Sequence, residues 1–137
     1  MYAPETKILV IDDMKTMRMV MKKCLKELGF TNLAEADDGE TAWPLIDQEA
    51  SAGTPFQLIL SDWNMPKLSG LDLLKKIRRC RMGFSSIVFV VYLKTVQRAP
   101  ELSQVVKIQL IFRWLHQCVL GFHRESELYL QCLQLLH

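Results

Sequence analysis

The sequence predicts an α/β fold built on a parallel sheet, and three observations carry that expectation. Two short apolar runs, Lys7-Ile8-Leu9-Val10-Ile11 and Phe56-Gln57-Leu58-Ile59-Leu60, have strand length, and each leads into aspartate. Apolar character this dense suits central parallel strands covered on both faces. Between and after these runs the apolar positions fall at helical spacing, giving the order β-α-β-α-β-α through Arg79.

The elements follow in order. After Asp12-Asp13 a helix is expected, because Met17, Val20, Met21, Cys24, Leu25 and Leu28 share one face while Lys15, Lys22, Lys23 and Lys26 lie outside it. Gly29 suits its C-terminal cap. Asn32 to Ala36 reads as a short strand, and Asp37-Asp38-Gly39 as a turn or cap. Glu40 to Ala50 reads as a helix that tolerates Pro44 near its first turn. A loop over Ser51 to Pro55 leads into the second buried run, which ends at Asp62 and is closed by Pro66. Ser69 is a plausible N-cap for a helix over Leu71 to Arg79, with Leu71, Leu74 and Ile77 inward and Lys75, Lys76, Arg78 and Arg79 mainly outward.

Length and composition bound the function. A chain of 137 residues that is 50% apolar and 23% charged fits a single globular domain. A net charge of +2 is too small to imply nucleic acid or an anionic membrane as partner. The longest apolar run, Ile87 to Leu93, falls far short of a membrane span. The first residues lack the apolar core of a signal peptide, so a cytoplasmic location is expected. Cys24, Cys80, Cys118 and Cys132 are too scattered for a zinc site.

Two adjacent acids at a strand exit can simply cap the following helix. A larger role emerges from topology. A right-handed crossover sets parallel strands side by side, which brings Asp12, Asp13 and Asp62 to one sheet edge. Open α/β sheets bind ligands at that edge. Carboxylates crowded together repel unless protonated or bridged by a cation. Oxygen-only ligands favour Mg²⁺ over zinc. The pattern reads as a hard-metal site with one carboxylate left to react.

The segments Lys7 to Asp13, Thr16-Met17-Arg18, Lys26 to Phe30, Glu35 to Gly39, Ser61 to Pro66 and Gly70 to Leu74 resemble the receiver domains of bacterial two-component response regulators. The resemblance covers residues 5–79, and Asp62-Trp63-Asn64-Met65-Pro66 with Thr16-Met17-Arg18 points to the chemotaxis branch. It implies a flavodoxin-like, doubly wound five-stranded sheet of order 2-1-3-4-5, a known property of such receivers. It further implies that Asp62 is a phosphoacceptor supplied by a histidine kinase or a small acyl phosphate, in a signalling protein and not an enzyme. Asp13 and Asp62 would bind Mg²⁺ directly, Asn64 through its backbone carbonyl, and Asp12 mainly through water. The flagellar motor switch protein is the partner implied for the chemotaxis branch. Two alternatives stand beside this one: a metal-binding interaction module that no longer switches, and a Mg²⁺-dependent phosphohydrolase with an aspartyl nucleophile. Such hydrolases commonly carry a second Asp two residues after the nucleophile, where this chain has Asn64.

Beyond Arg79 the family pattern fails. Ile87 to Leu93 suits a fourth strand, but Tyr92 and Thr95 are the hydroxyls near its end, and no Lys-Pro dipeptide follows. Lys94 and Lys107 are the default candidates for the lysine that, in the family, ends the fifth strand and pairs with the phosphoryl group. Leu102, Val105 and Val106 suit a helix, Ile108 to Trp114 a strand, and Glu125 to Leu136 a helix. No Asp occurs after Arg79, whereas three of four Cys and all three His do. Residues 80–137 of this single receiver-like domain are therefore expected to be divergent or to come from an altered reading frame. Translating the gene in its other frames past codon 79 decides between these: a Thr and a Lys-Pro at receiver spacing support the frame change.

Overall fold

A computed structural model describes residues 3–80, 88–92 and 132–133, the last two segments as backbone. The element order is β1 (Ile8–Ile11), α1 (Lys15–Glu27), β2 (Leu33–Ala36), α2 (Gly39–Ser51), β3 (Leu58–Asp62), α3 (Gly70–Arg79), β4 (Val88–Tyr92) and β5 (Cys132–Leu133). All strand pairs are parallel, in the order β2-β1-β3-β4-β5. This is the doubly wound arrangement expected.

Alternation along the two central strands explains the layering. Ile8 and Val10 of β1, with Leu58 and Leu60 of β3, face the side on which Met21 and Leu25 of α1 pack. Leu9, Ile11 and Ile59 face the opposite side, against Ile46 of α2 and Leu73, Leu74 and Ile77 of α3. With both faces covered, β1 and β3 are buried at every position.

The helix boundaries have local causes. In α1 the Gly29 and Phe30 N–H groups bond the carbonyls of Lys26 and Leu25, and Gly29 takes φ 94°, the left-handed conformation this cap requires. That cap turns Leu28 outward, so it is 44% exposed and does not join the buried face the spacing assigned to it. Asp38 caps α2: its carboxylate accepts the Thr41 N–H at 2.9 Å, and the Thr41 hydroxyl accepts the Asp38 N–H at 3.2 Å. Because α2 begins at Gly39, Pro44 lies in its interior and withholds one helical donor from the carbonyl four residues back. In α3 the Ser69 hydroxyl accepts the Asp72 N–H at 3.1 Å, as an N-cap should. Its buried face is Leu73, Leu74 and Ile77, with Leu71 only half-buried.

Cys132–Leu133, within the helix expected over 125–136, instead pair with Val91 and Tyr92 at the sheet edge. Short apolar runs fit either state, and an available parallel edge decides for the strand. The helix over Leu102 to Val106 and the strand over Ile108 to Trp114 lie outside the described residues, as do Lys94, Thr95 and Lys107.

At the opposite edge of the sheet from the acidic strand ends, Lys7 ties α2 to the loop before β3. Its ammonium pairs with Glu49 and donates to the Thr54 carbonyl at 3.2 Å. The Thr54 hydroxyl donates to Glu49 at 2.9 Å. The Lys7 bond first, and the Thr54 bond second, hold the Glu49 carboxyl below its ordinary value. A carboxyl lowered in the folded state stabilises fully above its unfolded pKa, about 4.3. That contribution fades as pH falls through the lowered folded value. Glu49→Gln is therefore expected to reduce the acid sensitivity of unfolding below about pH 4, where model carboxylates titrate, with little change in slope at neutral pH. Urea titrations across that range measure it, and an unchanged slope at low pH would count against the pairing.

Candidate functional site

Register builds the site. Ile11 of β1 lies beside Ser61 of β3, so the next residues, Asp12 and Asp62, leave adjacent parallel strands at the same level. The Asp12 N–H extends the ladder to the Ala36 carbonyl at 3.2 Å, which carries β1 pairing one residue further. Asp12 and Asp62 are both fully buried, and Asp13 is exposed at the mouth. Carboxylate oxygens of Asp12, Asp13 and Asp62 lie within 4.8 Å of one another. Among the described residues no other group of His, Cys, Asp or Glu meets that condition.

The helix-capping reading of the acid pair is only partly met. Asp12 Oδ1 accepts the Met14 N–H at 2.7 Å and so shapes the turn out of β1. The N-cap of α1 is Met14, without a side-chain bond, and the first turn of the helix holds no acid. Asp13 therefore serves neither as cap nor as first-turn charge.

Asn64 lies two residues past Asp62, exposed in the connection to α3. Ser61, also fully buried, donates its hydroxyl to the Asp62 carbonyl at 3.1 Å. Gly70 opens α3 directly against this strand end, and its N–H donates to the Trp63 carbonyl at 3.2 Å. A Cβ at Gly70 would stand 2.4 Å from the Asp62 carbonyl oxygen and 3.0 Å from Ser61 Oγ. Only glycine lets helix and strand approach so closely.

Other acids nearby have structural duties. Asp37 accepts the Thr41 hydroxyl at 2.5 Å. That bond first holds its carboxyl below the usual range; burial opposes it, and the residue's own N–H and then the fields of Arg18 and Lys67 add to the lowering. Lys67 stands 3.7 Å from both Asp38 and Glu40, pinning the connection after β3 to the start of α2. Lys76 of α3 lies 4.5 Å over the Trp43 ring of α2, so at least one member of the expected outward basic cluster also packs.

Chemically, three carboxylates in this space suit one divalent ion with oxygen ligands. Octahedral Mg²⁺ holds its ligands at about 2 Å, so opposite oxygens lie about 4 Å apart. The observed oxygens, all within 4.8 Å of one another, are close to that span. The donor set therefore fits a hard cation, with no nitrogen or sulfur ligand to favour a softer one.

Sequence reading found the three acids but gave no role to two residues that build their surroundings. Arg18 lies within Thr16-Met17-Arg18, and its guanidinium Nη1 donates to the Asp12 carbonyl at 2.7 Å. Gly70 opens a segment of the family resemblance and follows a helix cap, but neither gives it a role of its own. A glycine immediately after Ser69, where a helix would favour alanine, was the available signal.

Comparison with known proteins adds the following. The family model described as the response regulator receiver domain matches residues 8–109, past Arg79 where the motif resemblance ends. The chemotaxis protein CheY of Pseudomonas aeruginosa is 50% identical over 72 residues, covering 53% of this chain and 54% of that protein. CheY-3 of Vibrio cholerae is 49% identical over 72 residues, covering 53% of this chain and 52% of its own. The chain thus spans about half the length of the curated relatives it matches. Among solved structures, Vibrio cholerae CheY4 superposes with a TM-score of 0.61 at 18% identity, over 82% of this chain and 98% of that one. The receiver domain of the hybrid histidine kinase CckA gives 0.59 at 24% identity, over 81% and 96%. At those identities the structural likeness bears on the fold.

Proposed function

Since the chain belongs to the response regulator receiver domain family, we propose that it accepts a phosphoryl group on Asp62, with Mg²⁺ held by Asp12, Asp13, Asp62 and the backbone carbonyl of Asn64. The observation that carries this reading is the buried Asp62 carboxylate with those of Asp12 and Asp13 within 4.8 Å. The metal supplies positive charge that offsets the approach of an anionic nucleophile to an anionic phosphoryl group. One Asp62 carboxylate oxygen forms the new bond to phosphorus as the bond to the donor breaks. The leaving group is an imidazole from a histidine kinase phosphohistidine or a carboxylate from an acyl phosphate. Position contributes: β3, paired with β1 and β4, holds Asp62 at the sheet edge beside Asp12 and Asp13. Asn64 stands where aspartyl phosphohydrolases carry their general acid, which favours a retained phosphoryl group over turnover.

Identity near 50% to chemotaxis proteins supports a chemotaxis role, with a histidine kinase as phosphodonor, the flagellar motor switch protein as partner and the cytoplasm as location. No helix among the described residues is long and apolar enough to cross a membrane. The test is intact mass after incubation with acetyl phosphate and Mg²⁺, comparing wild type with Asp62→Asn. One added phosphoryl group in the wild type alone is expected. Continuous release of inorganic phosphate over many turnovers points to the hydrolase, and no labelling to an inert metal-binding module.

A further inference from the structure

Building on the metal-assisted reading of Asp62, we propose that Arg18 is a positioning residue: it fixes the peptide between Asp12 and Asp13 and so sets where the Asp13 carboxylate stands for a cation. Arg18 lies in the first turn of α1, and its side chain is 13% exposed, low for a residue that usually reaches into water. Its Nη1 donates to the Asp12 carbonyl oxygen at 2.7 Å. That oxygen belongs to the planar peptide whose other end is the Asp13 nitrogen, so holding it fixes the direction in which Asp13 leaves the strand. The Asp12 side chain accepts the Met14 N–H at 2.7 Å, holding the same turn from its other side.

The arginine is itself anchored from a third element. Its Nε stands 3.7 Å from Glu35 Oε2, and Lys22 Nζ reaches the same oxygen at 3.3 Å. Glu35 belongs to β2, where it lies beside Val10 of β1, one residue before Ile11. The chain of contacts therefore runs from a neighbouring strand through a guanidinium to the main chain between two acids. A short bond to a charged donor is the stronger kind, and a planar fork directs it better than an ammonium does. Asp13 is exposed and gains no direction from burial, so the peptide behind it contributes to where its carboxylate stands.

The experiment uses the full chain as wild type, Arg18→Met, Arg18→Lys and Glu35→Gln. Mg²⁺ titration by calorimetry gives affinity, and amide hydrogen exchange in the metal-free protein reports on Asp13 and Met14. Arg18→Met is expected to weaken Mg²⁺ about tenfold, the lower end for removing a residue that orients metal ligands. It should also speed exchange at Met14 selectively. Arg18→Lys should recover part of the affinity, and Glu35→Gln should weaken it by a smaller factor. A folded Arg18→Met that binds Mg²⁺ as the wild type does overturns the proposal. If Arg18→Met does not fold, unchanged affinity in Glu35→Gln overturns it instead. Should the wild type bind no Mg²⁺, the functional reading fails by itself. Exchange at Asp13 and Met14 then decides the positioning role alone, and no difference between the variants and wild type rejects it.

Discussion

Asp13→Asn is expected to make the metal-free protein more stable and the Mg²⁺-saturated protein less so. The carboxylates of Asp12, Asp13 and Asp62 stand within 4.8 Å, with Asp12 and Asp62 fully buried. At an effective dielectric near 20, two unit charges at that separation repel by about 3 kcal/mol. Asp13 is exposed, and solvent and salt screen it, so the net gain from removing its charge should be nearer ~1 kcal/mol. Asn keeps the shape of the side chain, which isolates the charge. For a domain of this size that gain corresponds to a rise of about 3–5 °C in Tm. With Mg²⁺ present the sign reverses. A ligand at a hundred times its Kd adds about 2.7 kcal/mol to the wild type, a contribution the variant should largely lose. Thermal melts of both proteins in EDTA and in excess Mg²⁺ give the four values needed. A variant that melts lower in EDTA would show that other contacts, not repulsion, dominate at these acids.

That convergence of acids is legible in the sequence because its causes are simple. Buried parallel strands read as apolar runs, and the residue after each run must emerge at the sheet edge. Hence Lys7 to Ile11 and Phe56 to Leu60 are enough to place Asp12, Asp13 and Asp62 at that edge. Asp38 and Ser69 were similarly visible, because a helix N-terminus needs an acceptor and these residues supply one. Less was visible where packing decides between near-equal options. Leu71 and Leu73 both fit the spacing of α3, and packing against the sheet buries Leu73 fully while leaving Leu71 half-buried. Leu28 fits the stripe of α1, but the left-handed cap at Gly29 redirects the chain beside it. Arg18 resembles any surface arginine in a one-dimensional pattern, since its partners come from the exit of β1 and from β2. Cys132–Leu133 shows the same limit, because two apolar residues carry no period and their pairing with β4 is a long-range event.

Gly70→Ala should damage both stability and the site, although alanine is the better helix former. The position opens α3 after the Ser69 cap, where Gly to Ala in an exposed helix would add about 1 kcal/mol of stability. Here the added methyl would stand 2.4 Å from the Asp62 carbonyl oxygen, 3.0 Å from Ser61 Oγ and 3.2 Å from the Asp62 carbonyl carbon. The nearest atom belongs to the backbone of a central strand paired on both sides, so it cannot step aside as a flexible side chain would. Either α3 lifts away, weakening burial of Leu73 and Ile77, or the peptide after Asp62 rotates. Overpacking of this kind typically costs about 1–3 kcal/mol, enough to outweigh the helical gain. Rotation of that peptide would also turn Asp62, the phosphoacceptor proposed above, and the start of the segment carrying Asn64. Urea unfolding should therefore show a net loss, and labelling by acetyl phosphate should fall further than the fraction of unfolded protein explains. Gly53→Ala provides the contrast: it is strained by φ 78° but meets no atom within 4 Å, so it should lower stability while leaving labelling of the folded fraction intact. A Gly70→Ala protein as stable and as readily labelled as the wild type would mean that the helix and strand do not meet as closely as they stand here.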